Sequence, residues 1–127
     1  MSQQTTILVV DDNPSMVTTL EDILLMKGYA VHRAYSGIEA LILLRREQVD
    51  IMLTDVVMPD MNGVELYRET RASHPNLITF LMTAYSADDI IQKGISEGIK
   101  TVLTKPIDIN LFLLLVQAAE QAYLRPQ

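Results

Sequence analysis

Apolar residues fall in short runs along the chain, and each run precedes a segment with the periodicity of an amphipathic helix. The first run is Ile7-Leu8-Val9-Val10, and it ends at Asp11-Asp12. A continuous apolar run is typical of a strand that is buried on both faces. The pattern predicts five strands in all, the others being Ala30 to Ala34, Asp50 to Thr54, Leu77 to Met82 and Lys100 to Thr104.

Helix start and stop signals lie between the predicted strands. Asn13 is a suitable cap for the first helix, which Pro14 opens and Gly28 ends. Ser36 and Glu39 form a capping-box pattern at the start of the second helix. We expect helices from Asn13 to Gly28, from Ser36 through Arg46, from Val64 to Ser73, from Ser86 or Asp89 to Gly98, and from Ile109, capped by Asp108, to about Tyr123.

Five strand-helix units predict an α/β fold, in which helices cover both faces of a doubly wound parallel sheet and the crossovers are right-handed. With 127 residues, 49% of them hydrophobic and 20% charged, the chain has the size and composition of one globular domain spanning residues 1–127.

Charge and composition exclude several classes of function. The chain has no cysteine, which rules out disulfides and thiolate metal sites, and its net charge of −6 disfavours direct contact with nucleic acid. The longest apolar run, Leu111 to Val116, is too short to span a membrane. Met1 to Gln4 lacks the features of a signal peptide, so we expect a cytoplasmic location without membrane contact.

The residues with reactive side chains follow different strands. In a parallel sheet of this kind the functional site lies at the carboxyl ends of the strands. Asp11 and Asp12 follow the first strand, Asp55 the third, Thr83 the fourth and Lys105 the fifth. Each residue alone has an ordinary explanation as a turn acid, a strand end or a solvated charge. Their joint placement predicts a single site on one edge of the sheet.

Carboxylates brought close together repel each other and must share a proton or bind a cation. Oxygen ligands without nearby histidine or cysteine favour Mg²⁺. We expect Asp12 and Asp55 to be direct ligands, Asp11 to bind through water, and the main-chain carbonyl of Val57 to supply another oxygen.

A carboxylate beside magnesium can attack phosphorus and form an acyl phosphate. Asp55 is the predicted phosphoacceptor. Lys105 offers a positive charge to a phosphoryl oxygen, the Thr83 hydroxyl can donate a hydrogen bond to another, and the main-chain N–H of Ala84 can assist.

Four motifs lie at the ends of the predicted strands: Val9-Val10-Asp11-Asp12-Asn13, Asp55-Val56-Val57-Met58-Pro59-Asp60-Met61-Asn62-Gly63, Met82-Thr83-Ala84 and Lys105-Pro106. Through these motifs the chain resembles the receiver domain of two-component response regulators over essentially its full length. The resemblance implies a flavodoxin-like sheet in the order 2-1-3-4-5 and a cis bond before Pro106. It also implies phosphoryl transfer from a histidine kinase or phosphotransfer protein to Asp55, and a downstream output domain or protein that reads the resulting change of shape.

The chain departs from the usual receiver pattern at its aromatic positions. Val102 stands three residues before Lys105, where receivers usually carry an aromatic ring, and Ile107 stands where phenylalanine is common. Tyr85 could take over part of the missing ring's role. Val57 and Tyr85 occupy positions that in the family border the path of attacking water. We therefore expect slow hydrolysis of the phosphoryl form, and faster loss in Val57→Asn or Tyr85→Ala.

The last helix is apolar on all sides from Leu111 to Val116. One face must pack on the sheet, and the others either fill grooves between helices or form a partner or dimer surface from helix 4, strand 5 and helix 5. The surface interpretation predicts that Leu113→Glu or Val116→Glu prevents association without unfolding the domain, whereas unfolding in both variants favours the core interpretation.

Other functions fit the predicted fold less well. A small magnesium-dependent phosphohydrolase would need a substrate-holding cap region, and a flavodoxin-like cofactor carrier would need a phosphate loop that does not begin with two acids. A receiver that only docks would not need the full acid set. We favour a signalling switch that catalyses its own phosphorylation and dephosphorylation, either as a stand-alone protein or as part of a longer regulator or kinase.

Overall fold

The computed structural model describes residues 4–84 and 89–124 of the chain. Its strands form one parallel sheet in the order β2-β1-β3-β4-β5, which confirms the predicted topology. The strands are β1 (Thr6–Val10), β2 (Ala30–Ala34), β3 (Ile51–Asp55), β4 (Ile78–Thr83) and β5 (Thr101–Thr104). The helices are α1 (Pro14–Met26), α2 (Gly37–Arg46), α3 (Gly63–Arg71), α4 (Asp89–Glu97) and α5 (Ile109–Ala119), and a π-helical turn, Glu120–Leu124, follows α5.

Alternate side chains of the central strands point into two separate core layers, as the pleat of a strand requires. The first layer lies between the sheet and helices α1 and α5, and it contains Val9 and Leu53. In this layer the rings of Phe80 and Phe112 meet edge to face, with centroids 5.9 Å apart. The second layer covers the opposite face beneath α2, α3 and α4, and its buried residues include Leu8, Met52, Leu66, Leu81 and Ile91.

Two strands extend one residue further than the sequence pattern predicts. Asp55 pairs with Met82 and is the last residue of β3, and Thr83 pairs with Thr104 and is the last residue of β4. The ladder with a neighbouring strand holds both residues in extended conformation, although each side chain is polar. The sheet itself, rather than a following loop, therefore fixes the backbone of both residues.

Side-chain caps set the helix starts, as predicted for α1, α2 and α5. The Asn13 side chain accepts from the N–H groups of Ser15 and Met16, and Asp108 accepts from Leu111. Helix α3 begins at Gly63 rather than Val64, because Asn62 and Glu65 form a reciprocal capping box there. The predicted start of the fourth helix at Ser86 lies outside the described residues, whereas Asp89 is its first described residue.

Helix α5 corrects one prediction about exposed leucines and valines. Phe112 and Val116 are completely buried in the first core layer, and Leu113 and Leu115 pack against it. The expectation that Val116→Glu would spare the fold is therefore wrong, since Val116 lies on the face that packs on the sheet. Leu111 and Leu114 are the exposed members of the run, at 45% and 63%. The sequence predicts a helix to about Tyr123. In the structure the α-helix ends at Ala119, and the π-helical turn continues to Leu124.

Candidate functional site

Three carboxylates meet at the carboxyl edge of the sheet, as predicted. One oxygen each from Asp11, Asp12 and Asp55 lies within 4.8 Å of the other two. Asp11 and Asp55 are buried, whereas Asp12 is exposed. The pairing of β1 with β3 brings Asp11 and Asp55 together. Val10 pairs with Thr54, and an aspartate directly follows each of these two residues in the chain.

Lys105 places its ammonium group between two of these acids. Its Nζ donates to Asp11 Oδ2 at 2.9 Å and lies 3.2 Å from Asp55 Oδ2. The main-chain N–H of Lys105 donates to the Thr83 carbonyl at 2.9 Å, which ties the residue to the end of β4. The Lys105–Pro106 bond is cis, as the family resemblance implied.

The electrostatics of the site oppose a second negative charge beside Asp11. Burial, followed by repulsion from Asp11, raises the pKa of Asp55 above its usual value, while Lys105 and the main-chain N–H of Val57 act in the opposite direction. Partial burial opposes the charge on Lys105, but its bonds to Asp11 and Asp55 outweigh that effect and raise the pKa of Lys105. Positive charge near Asp55 therefore favours its ionised form, as the effect of Lys105 on the pKa of Asp55 indicates.

The donor set fits a magnesium ion. Closely spaced carboxylate oxygens are the ligands that this cation prefers, and Asp12 gives the cluster an exposed side open to water. A divalent cation would also remove the repulsion that disfavours ionised Asp55. Asp11, Asp12 and Asp55 are therefore suitable ligands for this cation.

The remaining predicted site residues are Val57, Thr83 and Ala84, which also follow or end strands at the carboxyl edge of the sheet. Thr83 is 1% exposed at the end of β4, and Ala84 follows it at the surface. The main-chain N–H of Val57 lowers the pKa of Asp55, and the Val57 side chain is 61% exposed. The roles of the Val57 carbonyl, the Thr83 hydroxyl and the Ala84 N–H stay predictions.

Val102 and Ile107, which stand where receivers usually carry aromatic residues, are partly buried. Val102 packs against the part of the second core layer that contains Val64 and Leu81, and Ile107 packs against the first layer. Val102 therefore occupies a packed position without the ring that receivers usually carry. Tyr85, the suggested substitute, lies outside the described residues.

Several residues that support the site were not singled out by their sequence pattern. The main-chain N–H of Asn13 donates to Asp11 Oδ1 at 3.0 Å, and the buried Thr54 hydroxyl donates to the Asp55 carbonyl at 3.0 Å. Gly63 approaches Asp55 so closely that a Cβ there would lie 2.5 Å from the Asp55 carbonyl oxygen. The glycine at a helix start was the one available signal of such an approach.

None of the helices in the described residues combines the length and apolar character needed to cross a bilayer. The cytoplasmic location stays a prediction.

Comparison with known proteins identifies what the chain is similar to. The family model of the response regulator receiver domain matches residues 7–117. The transcriptional regulatory protein ZraR of Klebsiella oxytoca is 35% identical over 117 residues, which cover 92% of this chain and 26% of that protein. Sporulation initiation phosphotransferase F of Bacillus subtilis is 33% identical over 104 residues, which cover 82% of this chain and 84% of that protein.

A solved structure supports the same relationship. The crystal structure of the response regulator TrrA from Thermotoga maritima, in complex with Mg²⁺-BeF, has a TM-score of 0.79 and 27% sequence identity, covering 91% of this chain and 98% of that chain.

The chain spans only about a quarter of the length of ZraR, 26%. That relative is a transcriptional regulator, so the expectation that the chain makes no direct contact with nucleic acid receives no support from it. The acid cluster of Asp11, Asp12 and Asp55 fits a phosphorylation site. The family match over residues 7–117 and the shared parallel fold together lead to one conclusion: the chain belongs to the receiver domain family of two-component response regulators.

Proposed function

We propose that this chain is a phosphoacceptor switch in which Asp55 receives a phosphoryl group from a phosphohistidine of a histidine kinase or phosphotransfer protein. The observation that carries the proposal is the position of Asp55. Its carboxylate lies at the end of a central strand, beside two further carboxylates and 3.2 Å from the Lys105 ammonium.

The transfer step requires an ionised Asp55 aligned with the phosphorus. A carboxylate oxygen of Asp55 attacks phosphorus, the bond from phosphorus to the histidine nitrogen breaks, and that nitrogen keeps the electron pair. Asp11, Asp12, Asp55 and the Val57 carbonyl would hold magnesium, which screens the negative charge of the phosphoryl oxygens. Lys105 would move its charge from the acids to a phosphoryl oxygen, and Thr83 and the Ala84 N–H would donate to the others.

The test is intact mass after incubation with acetyl phosphate, with and without magnesium. We expect one phosphoryl adduct on the wild type, formed only with magnesium and absent from Asp55→Asn. Asp22→Asn is the matched control, because Asp22 is an exposed acid on α1, away from the carboxyl edge. An adduct that persists in Asp55→Asn, or that forms equally well without magnesium, would contradict the proposed site.

We further propose that the domain catalyses its own dephosphorylation, and that it does so slowly. The exposed Val57 side chain stands two residues after Asp55 and offers attacking water no hydrogen bond. Val57→Asn supplies a polar group that can orient water, so we expect loss of the phosphoryl group to accelerate about tenfold. Val57→Leu is the size-matched apolar control. Equal decay rates in all three proteins, followed by intact mass, would rule out this role for Val57.

The proposed output surface consists of α4, β5 and α5. Leu111 and Leu114 are three residues apart and so share a face of α5, and Ile95 of α4 is 44% exposed. Exposed apolar side chains of this kind fit a partner protein, an output domain or a second copy of the chain.

A further inference from the structure

The loop that follows the phosphoacceptor strand, residues 56–62, reaches across to the start of α2. The carboxylate of Asp60 accepts from two consecutive main-chain groups there. Gly37 N donates to Oδ1 at 3.2 Å, and Ile38 N donates to Oδ2 at 2.8 Å. The loop is thereby bound to a helix that lies more than twenty residues earlier in the chain.

These two bonds complete the cap of α2. The first turn of a helix leaves several N–H groups without a partner inside the helix. Ser36 Oγ accepts from Glu39 N at 3.1 Å, which leaves the N–H groups of Gly37 and Ile38 for Asp60. Asp60 is exposed, and the slight desolvation of its carboxylate is outweighed by the main-chain N–H groups of Ile38, Gly37, Met61 and Asp60 itself, which lower the pKa of Asp60. A carboxylate at this position is also favoured by the helix dipole.

A second contact holds the same loop against α2. Met61 packs against the second core layer, as Leu41 and Leu43 of α2 also do. A Cβ on Gly37 would lie 2.3 Å from Met61 Cγ, so the side chain occupies the space that this glycine leaves. Asp60 and Met61 thus make a polar and an apolar contact with one helix terminus.

Other residues of the same loop lie next to the phosphoacceptor site. The main-chain N–H of Val57 lowers the pKa of Asp55, and Gly63 N donates to the Val56 carbonyl at 2.9 Å. The position of Val57 therefore depends on a short segment whose far side is fixed to α2.

We propose that Asp60 is a positioning residue for the phosphoacceptor site. By binding the first two N–H groups of α2, it fixes the path of the loop and so aims the Val57 carbonyl toward the metal position. The inference rests on the proposed function, because it assigns a use to the magnesium ligand from Val57. It adds α2 to the elements that determine how well the site binds its cation.

The alternative role for Asp60 is only to cap a helix, and Ser36 makes that alternative testable. Ser36→Ala removes a cap from the same turn of the same helix, but the Ser36 hydroxyl accepts from Glu39 N within α2 and not from a group of the loop. Asp60→Ala removes a cap and the loop contact together. Asp60→Asn keeps one acceptor oxygen and should restore part of the effect.

The experiment measures magnesium affinity by isothermal titration calorimetry and amide hydrogen exchange in metal-free buffer. We expect Asp60→Ala to weaken magnesium binding about tenfold, the size of effect typical of a group that orients a metal ligand. We also expect faster exchange at the Gly63 amide. Ser36→Ala should change neither quantity, although both variants lose a helix cap, and Asp60→Asn should fall between Asp60→Ala and the wild type.

Equal effects of Asp60→Ala and Ser36→Ala on both quantities would overturn the inference, as would an unchanged Gly63 exchange rate in Asp60→Ala. The exchange measurement needs no metal, so it separates this inference from the proposed function. A wild type that binds no magnesium would overturn the proposed function and the metal part of the inference. Faster Gly63 exchange in Asp60→Ala alone would still establish that Asp60 fixes the loop.

Discussion

At the scale of single residues, the positive charge of Lys105 lies beside the acidic residues of the site. Its ammonium group lies near two buried carboxylates that would otherwise repel each other. Since the same charge is assigned to a phosphoryl oxygen in the proposed mechanism, Lys105 must change partners when Asp55 is modified. A lysine suits such a change, because its charge is compact and its stem is flexible.

Gly63 should tolerate a methyl group poorly, because that group would meet backbone. A Cβ at Gly63 would lie 2.5 Å from the Asp55 carbonyl oxygen and 3.2 Å from its carbonyl carbon, so backbone rather than a flexible side chain would have to shift. We expect Gly63→Ala to lower the free energy of unfolding by about 2 kcal/mol and to slow phosphorylation of Asp55.

Gly37→Ala is the matched control for Gly63→Ala, since both glycines begin a helix. The atoms that oppose a Cβ at Gly37 belong to the flexible Met61 side chain, so a smaller loss is expected. Urea unfolding of the two variants gives the comparison. A loss in Gly63→Ala no larger than in Gly37→Ala would show that the backbone around Asp55 can relax.

The contribution of Asp60 to the free energy of unfolding should depend on pH in a defined range. Its folded-state pKa lies below the ordinary value of 3.8, so the folded protein binds this proton more weakly than the unfolded chain does. The contribution is therefore fully present above that value and is lost as the pH falls through the lower, folded-state pKa.

Thermal unfolding of wild type and Asp60→Ala tests this pH dependence. The wild type should be the more stable protein by a constant margin down to about pH 5, and the margin should close in more acidic solution. A margin that stays constant into strong acid would mean that the Asp60 side chain stabilises the loop without its charge.

At the scale of the element, some apolar residues of helix α5 are buried in the core and others are exposed at the surface. Val116 is completely buried, so Val116→Glu would place an unpaired charge in the first core layer and should cost at least about 3 kcal/mol. Leu114 is 63% exposed, and Leu114→Glu should leave the unfolding free energy within about 0.5 kcal/mol of wild type.

The two glutamate variants together test the proposed output surface. Leu114→Glu should weaken self-association or partner binding of the phosphorylated protein while its circular dichroism stays native. Sedimentation over a range of concentrations measures the self-association. If Leu114→Glu associates as the wild type does and binds its partner equally well, the exposed face of α5 is not the output surface.

The far end of α4 is fixed to α3 by a small polar cluster. The Tyr67 hydroxyl donates to the Glu97 carbonyl at 2.7 Å, and Arg68 and Arg71 contact the Glu97 carboxylate at 2.8 Å and 3.1 Å. Gly98 then turns the chain with a φ of +122°, a conformation that glycine adopts without strain. The cluster anchors one terminus of a helix that belongs to the proposed output surface.

At the scale of the whole molecule, local patterns in the sequence predicted the fold well. The continuous apolar runs gave the strands, and caps such as Asn13 and Asp108 gave the helix starts, because these signals act over a few residues. The rule that sites lie at the carboxyl edge then brought Asp11, Asp55 and Lys105 together correctly.

Features that depend on distant contacts were harder to predict. Pairing with the neighbouring strand keeps Asp55 and Thr83 inside the sheet, and packing on the sheet decides that Val116 is buried and Leu114 is not. The contacts of Asp60 could not be predicted, because its partners at the start of α2 lie far away in the chain. Contacts of this kind depend on the folded arrangement and leave no local signal.

The strand order has a consequence for how the chain can fold as it leaves the ribosome. Strand β1 pairs with β2 and β3, both of which are synthesised after it. The β1–β2 pair can close first, over the connection that contains α1, but one edge of β1 then stays open until β3 emerges. An open edge rich in Ile and Val invites pairing with other chains. Slow translation between β2 and β3 would therefore favour aggregation, whereas the same delay after β3 would be harmless to β1.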